Sequence, residues 1–260
     1  MEIIVYVIIF LFFLLIKFNK IIIRIIFQKR LCEEDEDFIL RKYKYYRNLP
    51  KILQKKFSRR VREFIEKKNF EGRKELEVTN EMKLQISATA IMLTFGFEKD
   101  YLLSGLETII IYPEDFFSNS TKTYNKGETN MDGVVVFSWK DFLDGFKDEH
   151  DNINLGLHEL AHAFVLENKY IETLSECFDI NYERLGEMMV ESNLIEKTKE
   201  LKFFREYAYA NKMEFIACAI ETFFESPEVF KKELPELYNV IAGMLNQDVN
   251  KKIYEEVDLI

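Results

Sequence analysis

"LGLHELAHAF", residues 155–164, places two of the chain's three histidines, His158 and His162, four positions apart, with Glu159 directly after the first. On an α-helix, residues i and i+4 stand one turn apart on nearly the same face, so both imidazoles can reach one zinc ion at about 2.0–2.1 Å. Glu159, about 100° further round, is placed to touch water beside that ion without ligating it. Zinc lowers the pKa of such a water towards about 7, and a neighbouring carboxylate takes its proton as the oxygen attacks a carbonyl. The pentad therefore predicts two metal ligands and a general base on one helix. The plainer alternative is two surface histidines on an amphipathic helix. The third histidine, His150, lies in the polar stretch "FKDEHDN" (146–152) and reads as solvated.

Two histidines leave a zinc site incomplete. A continuation with Gly at 165 and His at 168 would define one class of peptidase, but the chain has Val165 and Asn168, which excludes it. An acidic ligand from a later helix remains. In "EYAYANKMEFIACAIETFFESPEVF" (206–230), a helix from about Asn211 aligns Glu214, Cys218 and Glu221 on a face that also carries Ala217 and Phe224. Glu214 and Glu221 are separated by about 10.5 Å along a straight helix, so they do not share one small ion's first shell. One is expected to ligate and the other to hydrogen-bond a ligand histidine; residue chemistry alone leaves Glu214, Glu221 and Cys218 open.

Outside the pentad, the 260 residues are 48% hydrophobic and 31% charged, with 9 Gly and 4 Pro, which predicts a sizeable core and long helices. A net charge of −9 argues against a nucleic-acid partner, since phosphate binding needs a basic face. Cys32, Cys177 and Cys218 show no CxxC spacing and suit a reducing compartment. Phe57, Val61, Phe64 and Ile65 keep helical spacing, as do Met82, Ile86, Ala90 and Leu93 with Asn80 available as a cap. "TIIIYP" (108–113) and "GVVVF" (133–137) read as strands of a small sheet separated by a polar loop. The chain is helical again from Leu155, with "LPELYNVIAGML" (234–245) as the last clear amphipathic stretch. The expected fold class is α+β.

The N-terminus stands apart. Ile3 to Ile16 is an unbroken apolar run, and after Lys17 the apolar character resumes as far as Phe27. No alanine precedes Ala88 and no glycine precedes Gly72, so a signal-peptide cleavage site is missing. Lys17, Lys20, Arg24, Lys29 and Arg30 all flank the run on its C-terminal side, which places the remainder in the cytoplasm by the positive-inside tendency. The expected organisation is a transmembrane anchor with its basic flank over 1–31, a charged solvated linker over 32–48 and one catalytic domain over 49–250. The soluble part carries a net charge of −13. A greasy helix docked on the domain or lying in the membrane plane is the alternative.

Taken in order, "RVREFIEKKNFEG" (60–72), "ELEVTNEMKLQISATA" (75–90), "LETIIIYPEDF" (106–116), "GVVVFSWKDFL" (133–143), "NLGLHELAHAF" (154–164) and "YAYANKMEFIACAIETFFESPEVF" (207–230) resemble the zinc-dependent peptidases of the Mlc titration factor A type, whose catalytic core is similar to that of anthrax lethal factor. The resemblance covers most of residues 50–245. It implies a zincin-like fold with an HExxH active-site helix, zinc on His158, His162 and Glu214, Glu159 as base, and Tyr207 in the position of a tyrosine seven residues before the third ligand. A phenol there can stabilise the oxyanion that forms during peptide hydrolysis; Tyr209 is the nearby substitute. The implied partner is a peptide or protein substrate. Because the family takes its name from titrating a transcriptional repressor, the resemblance also permits a membrane-tethered protein that sequesters a regulator, with zinc structural or latent. Either strand run is expected to offer an edge for an extended substrate or to lie covered in the core.

Overall fold

The computed structural model describes residues 31–97, 101–148, 150–171, 176–191 and 193–250, so the apolar run at the N-terminus lies outside the described residues. Among those described, no helix is long and apolar enough to cross a membrane. The architecture is α+β, mostly helical with one small mixed sheet.

The chain enters through α1 (Glu33–Lys42) and α2 (Lys44–Asn48). The expectation of a solvated linker over 32–48 is corrected here. Ile39, Tyr43 and Tyr46, spaced by four and three residues, are all buried. The Tyr43 hydroxyl donates to the Gln85 carbonyl at 2.6 Å, and the Tyr46 hydroxyl lies 3.0 Å from Ser58 Oγ. An apolar stripe is threaded through the charges, and amphipathic tyrosines carry it: each ring packs inward while its hydroxyl finds a partner.

Helix α3 (Lys51–Lys67) buries Phe57, Val61 and Phe64, as its spacing predicts, against α4 (Asn80–Thr94). Helix α4 is enclosed on all sides from Leu84 to Thr94. Its cap is Thr79, one residue before the expected Asn80, accepting from the Met82 amide at 3.3 Å.

The sheet runs β1–β2–β6–β5. Strand β1 (Asn69–Gly72) lies parallel to β2 (Thr108–Tyr112), and β2 lies parallel to β6 (Val134–Ser138) in the register Thr108 to Val134. Ile109, Ile111, Val135 and Phe137 are fully buried at alternate positions. The two sequence-read strands are therefore neighbours in the interior of the sheet, and neither is an edge. The intervening polar segment is structured: β3 (Phe116–Phe117) and β4 (Tyr124–Asn125) form a hairpin, and β5 (Gly127–Thr129) pairs antiparallel with β6 as the edge strand. Its Gly, Ser, Thr and Asn content hid these short strands.

After α5 (Trp139–Asp144) come α6 (Leu155–Leu166), α7 (Glu176–Glu191), α8 (Leu194–Glu200), a 3₁₀ turn (Glu206–Tyr209), α9 (Lys212–Glu225), α10 (Pro227–Glu233) and α11 (Pro235–Met244). Helix α6 lies between α9 and α4 and touches both β5 and β6. Leu157, Leu160, Ala161, Phe164 and Val165 seat it in the core. Gly156 allows that approach, because a β-carbon there would lie 2.6 Å from the Phe142 ring.

Candidate metal centre

Asn154 starts α6 by accepting from the Leu157 amide at 3.0 Å, which sets His158, Glu159 and His162 within the first two turns. Asn211 does the same for α9, accepting from the Glu214 amide at 3.0 Å. The two helices pack so that the first turn of α9 meets the middle of α6.

Three donor atoms converge there. Glu214 Oε2 lies 3.0 Å from His158 Nε2 and 3.3 Å from His162 Nε2, and the two nitrogens are 3.1 Å apart. Tetrahedral zinc with ligands at about 2.0–2.1 Å separates its donors by about 3.3 Å, so the triangle has the size of one face of such a site. Glu214 Oε2 is buried yet receives no well-aligned hydrogen bond. A buried carboxylate oxygen left so is costly unless a cation meets it. Burial would raise the Glu214 carboxyl, but the two imidazoles hold it well below the usual carboxylate range. This donor set fits a divalent metal.

Glu221, two turns further along α9, is fully buried and serves the other nitrogen of the same ring. Its Oε1 lies 2.7 Å from His158 Nδ1. The Asn154 amide donates to its Oε2 at 2.7 Å, and Arg205 donates to both oxygens at 2.7 and 3.1 Å. Burial disfavours charge on His158, but hydrogen bonds that its ring donates to Cys218, Glu214 and Glu221 outweigh it and push its pKa up to about 11. A proton and a metal compete for Nε2 under this field.

Glu159 points from the opposite flank of α6. It is 6% exposed, and burial raises its pKa against the pull of both histidines. Thr129 Oγ1, on the edge strand β5, lies 2.8 Å from Glu159 Oε2 and 3.0 Å from the Glu159 carbonyl oxygen. Gly127 leaves room for the same carboxylate: a β-carbon at that position would stand 2.3 Å from Glu159 Oε1. Tyr207 is 55% exposed at the mouth of the site, its ring centre 6.1 Å from that of His158. Burial and then the Glu214 carboxylate push its phenol up to about 12, so it stays a proton donor at neutral pH.

The structure thus gathers His158, Glu159, His162, Tyr207 and Glu214 in one place, with Glu221 and Cys218 behind the His158 ring. His150 is exposed and stands apart, its Nδ1 at 3.3 Å from the Glu225 carbonyl oxygen. Gly127, Thr129 and Arg205 were not singled out from the sequence. The glycine and threonine sit in a segment that reads as loop, and a lone arginine between Phe204 and Glu206 carries no local signal.

An HExxH helix, a carboxylate from a second helix and an edge strand beside the glutamate make a donor set that fits a single metal ion, an arrangement of the kind that metallopeptidases use. The chain belongs to the glucose-regulated metallo-peptidase M90 family, whose sequence profile matches residues 20–245. At the family level this supports a metallopeptidase-type function. It is 22% identical over 206 residues to Mlc titration factor A of Pectobacterium atrosepticum, covering 72% of this chain and 76% of that protein. It is also 22% identical over 197 residues to Mlc titration factor A of Salmonella agona, covering 69% and 72%. An uncharacterised protein of Synechocystis sp. matches over 214 residues at 22% identity, 76% of this chain and 78% of that one.

Proposed function

We propose that the protein is a zincin-like zinc peptidase in which His158, His162 and Glu214 hold the metal and Glu159 is the general base. The observation that carries this reading is the triangle of His158 Nε2, His162 Nε2 and Glu214 Oε2 at 3.0–3.3 Å, with the Glu159 carboxylate beside it. Bound zinc supplies a polarised, acidified water and a Lewis acid for the scissile carbonyl. Glu159 takes the proton of the attacking water and returns it to the departing amine as the C–N bond breaks. Thr129 holds one oxygen of that carboxylate, and Gly127 leaves room for the other. Tyr207, protonated and partly open to solvent, donates to the oxyanion.

The substrate is an extended peptide. Among the described residues β5 pairs only with β6, so its outer edge has no strand partner, and it lies directly against the base. The apolar run at 3–27 with its basic flank is proposed to anchor the domain on the cytoplasmic face of a membrane. Sedimentation with membranes in high salt, and shielding from protease added outside intact cells, would test that location; a soluble, shortened form outside the cytoplasm would defeat it.

A second reading has its own support. Two relatives are named as titration factors, so binding of a regulatory protein, with zinc structural or latent, is the alternative. A mixed peptide library incubated with the purified protein, with and without chelator, separates the two. Chelator-sensitive cleavage supports the peptidase; zinc-loaded protein that cleaves nothing supports the binder.

A further inference from the structure

Two sets of metal-binding side chains overlap on one histidine. His158, His162 and Glu214 form the first. His158, Cys218 and Glu221 form the second, with one donor atom from each lying within 4.8 Å of the others. Cys218 and Glu221 are 2% and 0% exposed, and a thiolate with an imidazole and a carboxylate is a donor set that zinc accepts readily. Chemistry alone gives the second set a strong claim on the ion. What distinguishes the two is a cation already resident in the second.

Arg205 reaches in from the residue that precedes the 3₁₀ turn. Its Nη2 lies 2.7 Å from Glu221 Oε1 and 3.1 Å from His158 Nδ1, while its Nη1 lies 3.1 Å from Glu221 Oε2 and 3.3 Å from the Asn152 carbonyl oxygen. Both Glu221 oxygens are thus occupied, by the guanidinium and by the Asn154 amide. A permanently charged, planar fork in this position repels a second cation and satisfies the carboxylate that would otherwise seek one.

We propose that Arg205 is a positioning residue that decides which donor set takes the metal. It closes the Nδ1 side of His158, so that Glu221 orients the ring without ligating and Nε2 is left to face His162 and Glu214. The inference rests on the zinc-peptidase reading, and a metal-binding readout tests it without activity.

The probe is cobalt(II), added at less than one equivalent to protein carrying Cys32→Ser and Cys177→Ser, so that Cys218 is the only thiol. Thiolate ligation then appears as a charge-transfer absorption that nitrogen and oxygen donors do not give. The otherwise unchanged protein should bind cobalt without that band. Glu214→Gln should bind it more weakly and still show no band, because Arg205 guards the alternative set. Adding Arg205→Ala to Glu214→Gln should bring the band out, and Cys218→Ser should remove it again. If the alanine variant does not melt cooperatively, Arg205→Gln, uncharged and of similar reach, takes its place. A thiolate band in Glu214→Gln with Arg205 intact, or none after Arg205 is replaced, overturns the assignment. If the parent protein binds no metal, the peptidase reading falls and this one with it; if the parent itself shows the band, only this one falls.

Discussion

Helices α4 and α6 are both enclosed by the fold, but they satisfy their polar side chains in different ways. In α4, Thr89 Oγ1 donates to the Gln85 carbonyl at 3.0 Å and Thr94 Oγ1 to the Ala90 carbonyl at 2.9 Å, each one turn back in the same helix, while Tyr43 and Arg60 each add one contact from outside to these hydroxyl oxygens. In α6, His158 meets Glu214 and Glu221 from α9, and Glu159 meets Thr129 from the edge strand. Hydroxyls that donate within their own helix fit it into a core. Polar groups answered from two other elements fix atoms in space, and that is the arrangement chemistry needs. Burial by itself does not distinguish the two helices; the origin of the partners does.

The sharpest way to break this comparison is to remove the base while keeping its shape. Glu159→Gln should retain stoichiometric zinc and the fold while peptide hydrolysis falls by roughly 10²–10⁴-fold. His158→Ala should lose the metal as well. Equal zinc loss in the two variants would show that Glu159 is a ligand.

Next come the two α9 carboxylates. Glu214→Gln should abolish stoichiometric zinc, whereas Glu221→Gln should weaken binding by roughly 10–100-fold. Metal analysis at buffered free zinc decides between them, and full occupancy in the Glu214 variant with an empty site in the Glu221 variant would reverse the roles.

A smaller effect is expected on the strand side. The Thr129 hydroxyl lowers the Glu159 pKa, so Thr129→Val should raise it further. Glu159 works as the carboxylate, and activity is lost as pH falls through its pKa. The acid limb of the kcat/KM profile should therefore move to higher pH, with zinc content unchanged. An unmoved limb would leave Thr129 a packing residue.

The control lies on α4. Thr89→Val removes a hydroxyl whose partners are the Gln85 carbonyl and the Tyr43 hydroxyl, at a cost of about 1 kcal/mol in thermal or denaturant unfolding. Turnover per folded molecule should not change; a loss of activity beyond the loss of folded protein would erase the distinction between the helices.

These differences also mark how far the chain could be read. The α6 pentad, the α9 face with Glu214 and Glu221, and the strands at 108–112 and 134–138 follow periods of 3.6 and 2 that local spacing records. Helix rise separates the two α9 carboxylates, which meet different nitrogens of the His158 ring, but it does not say which of them would ligate; that came from the family resemblance. Thr129 meets Glu159 across 30 residues, Arg205 meets His158 across 47, and no local period encodes either meeting. Residues 33–48 were misread for a different reason. Average charge outweighed the stripe of Ile39, Tyr43 and Tyr46, whose buried side chains are spread among acidic and basic residues.

That stripe has a mechanical consequence. Leu31 is already 6% exposed, and the Tyr43 and Tyr46 hydroxyls fasten the two entry helices to α4 and α3. From its first described residue the chain is packed onto the domain by buried side chains and hydrogen bonds. In protein carrying Cys177→Ser, a spin label on the exposed thiol of Cys32, immediately before α1, should therefore move more slowly than the same label on an unpacked tail.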